Sequence, residues 1–128
     1  MERDAWIERT TQICHRDIEW DLTEFAHPPN VPIVLYGIDA VRSFWRHWLD
    51  AWIPMGLQYD MVDTGDSVVL LVERERLRAR ATGSVLTMTP YAQRATFENG
   101  LMVTWKAYAS QARALEVAWG QAKPSPLP

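Results

Sequence analysis

Ile38-Asp39-Ala40-Val41-Arg42-Ser43-Phe44-Trp45-Arg46-His47-Trp48-Leu49-Asp50-Ala51-Trp52 is the stretch whose reading decides the fold. Val41, Phe44, Trp45, Trp48 and Trp52 recur at helical spacing, while Arg42, Ser43, Arg46, His47 and Asp50 take the other side. The segment is therefore an amphipathic helix with one broad aromatic face. Asp39 in the first turn suits the helix dipole, and Pro54-Met55-Gly56 is expected to stop the helix. Such a face needs a layer to pack on, and the flanking sequence supplies strands.

Upstream, Ala5 to Gln12 reads as a short helix, with Trp6, Ile7 and Ile13 on its apolar edge. Asp17 to Leu22 alternates, placing Ile18, Trp20 and Leu22 on one face of a strand and Glu19 and Asp21 on the other. His27-Pro28-Pro29-Asn30 through Pro32 forbids helix and central strand, and a short extended piece from Ile33 to Tyr36 ends at Gly37. Downstream come a strand from Leu57 to Val62, a turn at Asp63-Thr64-Gly65-Asp66 and a long extended run from Ser67 to Arg80. A further strand pattern from Gly83 to Phe97 is interrupted by Pro90, which implies a bulge or an edge. Asn99-Gly100 is a hairpin signal leading into a strand from Leu101 to Ala109. Ser110 caps a final helix in which Ala112, Leu115, Ala118 and Trp119 share a face and Gly120 marks the end. Helices on one side of a largely antiparallel sheet make an α+β domain over residues 1–122, and the proline-rich residues 123–128 read as a disordered tail.

Composition narrows the function classes. The chain has 128 residues, 48% of them hydrophobic, enough for a core without disulfides or metal. Its net charge of −3 lacks the electrostatic footprint of a nucleic-acid binder. Cys14 is the single cysteine, which argues for a reducing compartment. Val68-Val69-Leu70-Leu71-Val72 is too short to span a bilayer, and the charged start Met1-Glu2-Arg3-Asp4 leads into no apolar signal core, so the protein reads as cytoplasmic with no membrane partner. Seven tryptophans are an excess that calls for an aromatic core or a lined cavity.

Several of these segments resemble one family. Asp17-Ile18-Glu19-Trp20-Asp21, the Tyr36-Gly37 turn into Ala40-Val41-Arg42-Ser43-Phe44-Trp45, Thr82-Gly83-Ser84, Phe97-Glu98-Asn99-Gly100, and Tyr108 followed by Ala114-Leu115-Glu116 look like the SnoaL-like branch of the nuclear-transport-factor-2-like superfamily. The resemblance covers Asp17 to Gly120. It implies a conical fold in which a strongly curved antiparallel sheet wraps around helices and leaves an apolar pocket, frequently in a homodimer. The family's usual first helix is shortened or absent here. Members include steroid isomerases, polyketide cyclases, epoxide hydrolases, dehydratases and non-catalytic binding modules, among which fold alone does not choose.

The resemblance places Asp21 at the position of the isomerases' general base, where an apolar pocket would raise its pKa toward neutrality. Gln93 stands at their oxyanion acid and can donate a hydrogen bond. Arg74, in phase with Val68, Leu70 and Val72, is expected to reach the cavity and hold a carboxylate, whereas Arg76, Arg78 and Arg80 read as a solvated stripe. Glu73-Arg74-Glu75-Arg76 and Trp105-Lys106-Ala107-Tyr108 resemble the epoxide hydrolase strands, but Arg76 and Ala107 replace both aspartates, and that activity is rejected. Trp20, Tyr36, Trp45, Trp48, Met55, Tyr59, Met88 and Trp105 are the expected cavity lining. His15, His27 and His47 have no metal-site spacing, and no cofactor motif is present. The expected function is binding of an apolar or aromatic small molecule, with proton transfer beside a carbonyl. The alternative is a non-catalytic binding or dimerisation module.

Overall fold

The structure, a computed structural model, describes residues 3–24 and 34–122. The proline-rich segment from His27 to Pro32 and the tail 123–128 lie outside the described residues. The elements run α1 (Arg3–Gln12), β1 (Cys14–Asp21), β2 (Val34–Tyr36), α2 (Ile38–Ala51), β3 (Trp52–Asp63), β4 (Ser67–Ala79), β5 (Val85–Met88), β6 (Tyr91–Glu98), β7 (Leu101–Tyr108) and α3 (Gln111–Ala122). One curved seven-stranded sheet has the order β2-β1-β7-β6-β4-β3, with β5 on the far half of β4. Every pairing is antiparallel except that of β1 with β7. The α+β reading holds, with a mixed rather than purely antiparallel sheet.

Glycine opens α2: Gly37 has φ 90°, a conformation that suits a residue without Cβ, and its N–H donates to the Ile18 carbonyl at 2.8 Å. The helix ends at Ala51, earlier than Pro54-Met55-Gly56 suggested, because Trp52 is already extended. Arg80 satisfies the last turn, its side-chain Nε donating to the Leu49 carbonyl at 2.7 Å and its backbone N–H to Ala51 at 2.9 Å. Pro54 and Gly56 lie inside β3 instead. Their strand ends the sheet order, so a missing N–H is tolerated there, and the register shifts between them. Pro90 splits the Gly83–Phe97 pattern into β5 and β6, while Asn99 (φ 51°) and Gly100 (φ 81°) make the β6–β7 hairpin turn.

The sheet is covered on both faces. Residues opposite one another in register share a face, and α2, with α1 packed against it, covers the one bearing Ile18, Trp20 and Trp105. Cys14, Ile18, Trp20, Leu35 and Val41 are buried there. On the other face α3 lies over Val69, Ala92 and Tyr108, with Ala114 and Ala118 fully buried. This corrects the helix face expected from sequence: Ala112 is exposed and Trp119 is 40% exposed. Small alanines let α3 approach the sheet closely. The Ser110 hydroxyl caps the helix as expected, accepting from the Arg113 N–H at 3.2 Å.

Candidate functional site on the α1–α2 face

Rings cluster between α2 and the sheet. Trp20 on β1 lies directly across from Trp105 on β7, and their rings stack with centroids 4.0 Å apart at 12°. Trp45 meets Trp20 edge-on at 6.1 Å, Phe44 joins both, and Trp6 of α1 closes on Trp45 at 5.9 Å. Trp48 extends the cluster from Phe44 to Trp52. Two donors inside it have no partner among the described residues: the buried indole nitrogens of Trp20 and Trp45. Buried indole N–H groups normally find an acceptor, so this pair marks an unmet demand.

The indole of Trp105 begins a polar chain that leads outward along the same face. Its Nε1–H donates to Gln93 Oε1 at 3.2 Å, Gln93 Nε2–H donates to Tyr91 Oη at 3.0 Å, and the Tyr91 hydroxyl donates to Glu75 Oε1 at 2.5 Å. Burial, then the hydrogen bond and charge of Glu75, push the Tyr91 phenol well above its ordinary range, so it stays a protonated donor at any physiological pH.

Asp21 lies on the opposite face. It pairs in register with Lys106, and both border an open cleft of about 450 Å³ beside α3, lined also by Glu19, Arg94, Tyr108 and Arg113. Burial raises the Asp21 pKa, but hydrogen bonds from the Thr23 hydroxyl and N–H and the Lys106 ammonium at 3.7 Å outweigh it and leave the carboxyl below its ordinary value. The raised pKa expected from an apolar pocket is thus reversed. Glu24 ties the cleft together, accepting from Arg113 at 2.6 Å and lying 3.9 Å from Lys106. Among the described residues no group of three His, Cys, Asp or Glu is placed to hold a metal ion.

Arg74 is also displaced from its expected place. β4 carries an extra residue opposite β3 between Val72, which faces Tyr59, and Arg74, which faces Gln58. Val72 and Leu77 are both fully buried although they are five positions apart, so the alternation changes phase at Glu73. Arg74 and Arg76 turn outward, to a second cleft of about 290 Å³ with Met55, Leu57 and Gln58. Glu75 turns inward instead.

Of the expected residues, the structure gathers Trp20, Trp45, Trp48, Trp105 and Gln93 on one face. It does not bring Asp21, Gln93 and Arg74 together. Tyr36 is 68% exposed at the β2 end, while Met55 and Tyr59 are exposed on β3. Met88 is half-buried beside Glu75. Glu75 and Tyr91 were absent from the expected set, because without the β4 bulge Glu75 reads as part of a solvated, charged strand.

No protein-family model and no curated protein matches the sequence. Solved structures do. A protein from Rhodopseudomonas palustris, named as a candidate isomerase, superposes with TM-score 0.71 at 20% identity over 91% of this chain and 86% of its own. A SnoaL-like protein from Mesorhizobium loti, named as a candidate polyketide cyclase, gives 0.60 at 21% identity over 84% and 99%. TerC co-crystallised with polyporic acid gives 0.65 at 20% over 91% and 88%. The helices, the curved sheet and these likenesses together place the chain in the SnoaL-like, nuclear-transport-factor-2-like fold.

Proposed function

We propose that the protein binds an apolar or aromatic small molecule carrying a hydrogen-bond acceptor on the α1–α2 face, as an isomerase- or cyclase-type protein acting beside a carbonyl. The observation that carries this reading is the pair of buried, unpartnered indole donors of Trp20 and Trp45 inside a cluster of rings. A carbonyl or hydroxyl oxygen entering there satisfies them, and the rings supply the apolar contact. The names of the structural neighbours support the same class: candidate isomerase, candidate cyclase, and a protein co-crystallised with polyporic acid. No described helix is long and apolar enough to cross a membrane, and the buried, unpaired Cys14 fits a reducing, cytoplasmic setting.

Tryptophan fluorescence titrated with polyporic acid and with 2-tetralone tests the reading. Saturable quenching is expected, weakened about tenfold in Trp45→Phe, which removes one donor and keeps the ring. Absence of saturable quenching by either probe sinks it.

A second reading rests on β3. Leu57, Tyr59 and Met61 alternate on one face of this terminal strand and are 41, 47 and 61% exposed. A bare apolar strand edge is an association surface, and a second copy of the chain is the proposed occupant. Sedimentation velocity should show a dimer that Met61→Lys dissociates.

A further inference from the structure

The cleft of about 290 Å³ on β3 and β4 differs in kind from the one beside α3. Its lining is Met55, Gly56, Leu57, Gln58, Arg74 and Arg76, which together carry two positive charges and no acid. The cleft beside α3 instead sets Glu19 and Asp21 among its cations. The strand register explains the imbalance. Beyond the bulge at Glu73, Arg74, Arg76 and Arg78 share the face turned away from the rings, opposite Gln58, Gly56 and Ile53 on β3, with Thr87 and Val85 opposite Arg76 and Arg78 on β5. No acid stands across either pairing, and among the described residues none of the three arginines takes part in an ion pair. Glu75 is turned to the other face and held by Tyr91, Glu73 lies 3.4 Å from the Gln111 amide, and Asp60, opposite Leu71, pairs with none of them. Alternate residues of a strand stand about 7 Å apart on one face, so these like charges repel with no counter-charge set opposite. Gly56 makes the depression between them and the sheet edge. A Cβ there would meet nothing within 4 Å, so the space above this backbone is open. Glycine inside a strand often marks a place where a ligand comes close to the backbone.

We propose that this cleft is a second binding site, independent of the ring face, for a small organic dianion: a dicarboxylate with a short apolar or aromatic spacer. Each guanidinium is a planar fork that grips one carboxylate through two N–H donors, and two forks rooted about 7 Å apart serve two carboxylates better than one. The Gln58 amide adds a neutral donor, and the exposed Met55 packs against the spacer. The bare backbone of Gly56 lets that spacer lie close to the strand. Arg78 continues the charge past the cleft, whereas Arg80 leaves the series because its side chain closes the end of α2 at the Leu49 carbonyl. The net charge of −3 over the whole chain disfavours a long polyanion, so a small ligand is the occupant that fits.

The test is titration of isotope-labelled protein with terephthalate at low salt, read by nitrogen–proton correlation NMR from the backbone amides of residues 55–58 and the arginine Nε–H signals. Terephthalate should shift these signals saturably, and benzoate, with one carboxylate, should bind about tenfold more weakly. Arg74→Gln and Arg76→Gln should each weaken terephthalate about tenfold or more, with the rest of the spectrum confirming the fold. Gly56→Val keeps both arginines and suits a strand, and it should abolish binding by filling the cleft. Arg113→Gln, in the cleft beside α3, should leave binding unchanged. Absence of a saturable shift at residues 55–58 overturns the proposal, as do shifts centred on Lys106 and Arg113, equal affinity for benzoate, or binding that survives Gly56→Val. Tighter binding of phenyl phosphate than of terephthalate overturns the dicarboxylate class. Tight binding of poly-glutamate that depends on Arg78 as strongly as on Arg74 overturns the small-ligand assignment, by making the cleft part of a protein-docking stripe.

Discussion

On the side of α1 and α2 the sheet meets rings, and on the side of α3 it meets alanines and charges. The ring face is built from Trp20, Trp105, Phe44 and Trp45, and among the described residues the indole N–H groups of Trp20 and Trp45 have no acceptor. The α3 face is tight where Ala114 and Ala118 sit against Val69 and Ala92, then opens into a cleft in which Asp21, Glu24, Lys106 and Arg113 are paired among themselves. Adjacent residues of one strand serve both: Trp20 points to rings and Asp21 to Lys106. Four charges of the polar face are thus paired internally, whereas the apolar face keeps two indole donors without an acceptor among the described residues.

Four substitutions test this contrast, from the largest expected effect to the smallest. Trp20→Ala should remove the centre of the ring cluster and cost about 3–5 kcal/mol in urea unfolding. Ala118→Leu should force α3 off the sheet and cost about 1–3 kcal/mol, with ligand quenching on the opposite face unchanged. Asp21→Asn should cost about 1 kcal/mol near pH 7 through its lost charge-assisted hydrogen bonds. Its pH dependence carries the sign. A carboxyl held below its unfolded value near 3.9 stabilises the fold above about pH 4 and loses that contribution as pH falls through the lower folded value, so the wild type should show an acid limb that the variant flattens. Arg113→Ala, which removes an ion pair from a half-exposed side chain, should cost under about 1 kcal/mol and less in high salt. If Arg113→Ala rivals Trp20→Ala, the division of labour between the faces is wrong.

Much of the fold was legible because local signals agreed. The spacing of Val41, Phe44, Trp45 and Trp48 names a helix, the alternation around Ile18 and Trp20 a strand, and Asn99-Gly100 a turn, all without knowledge of distant neighbours. Pro54 misled because a proline stops a helix and is also tolerated in an edge strand, and only the sheet order says which applies. The final helix misled for a related reason: Leu115 and Trp119 are the larger apolar residues, yet close contact with β4 and β6 favours Ala114 and Ala118. The site was half legible. The rings were visible from composition and spacing, whereas Glu75 was hidden because the phase of β4 depends on its pairing with β3, a contact far away in sequence.

That extra residue near Glu73 makes β4 behave like a message with one frameshift. Up to Val72 its odd positions belong to one side of the sheet, and beyond it they belong to the other, so two sets of side chains with opposite needs share an uninterrupted strand. Strict alternation through Glu73 would instead keep a single frame, sending Arg74 and Arg76 in among the rings and Leu77 out to water.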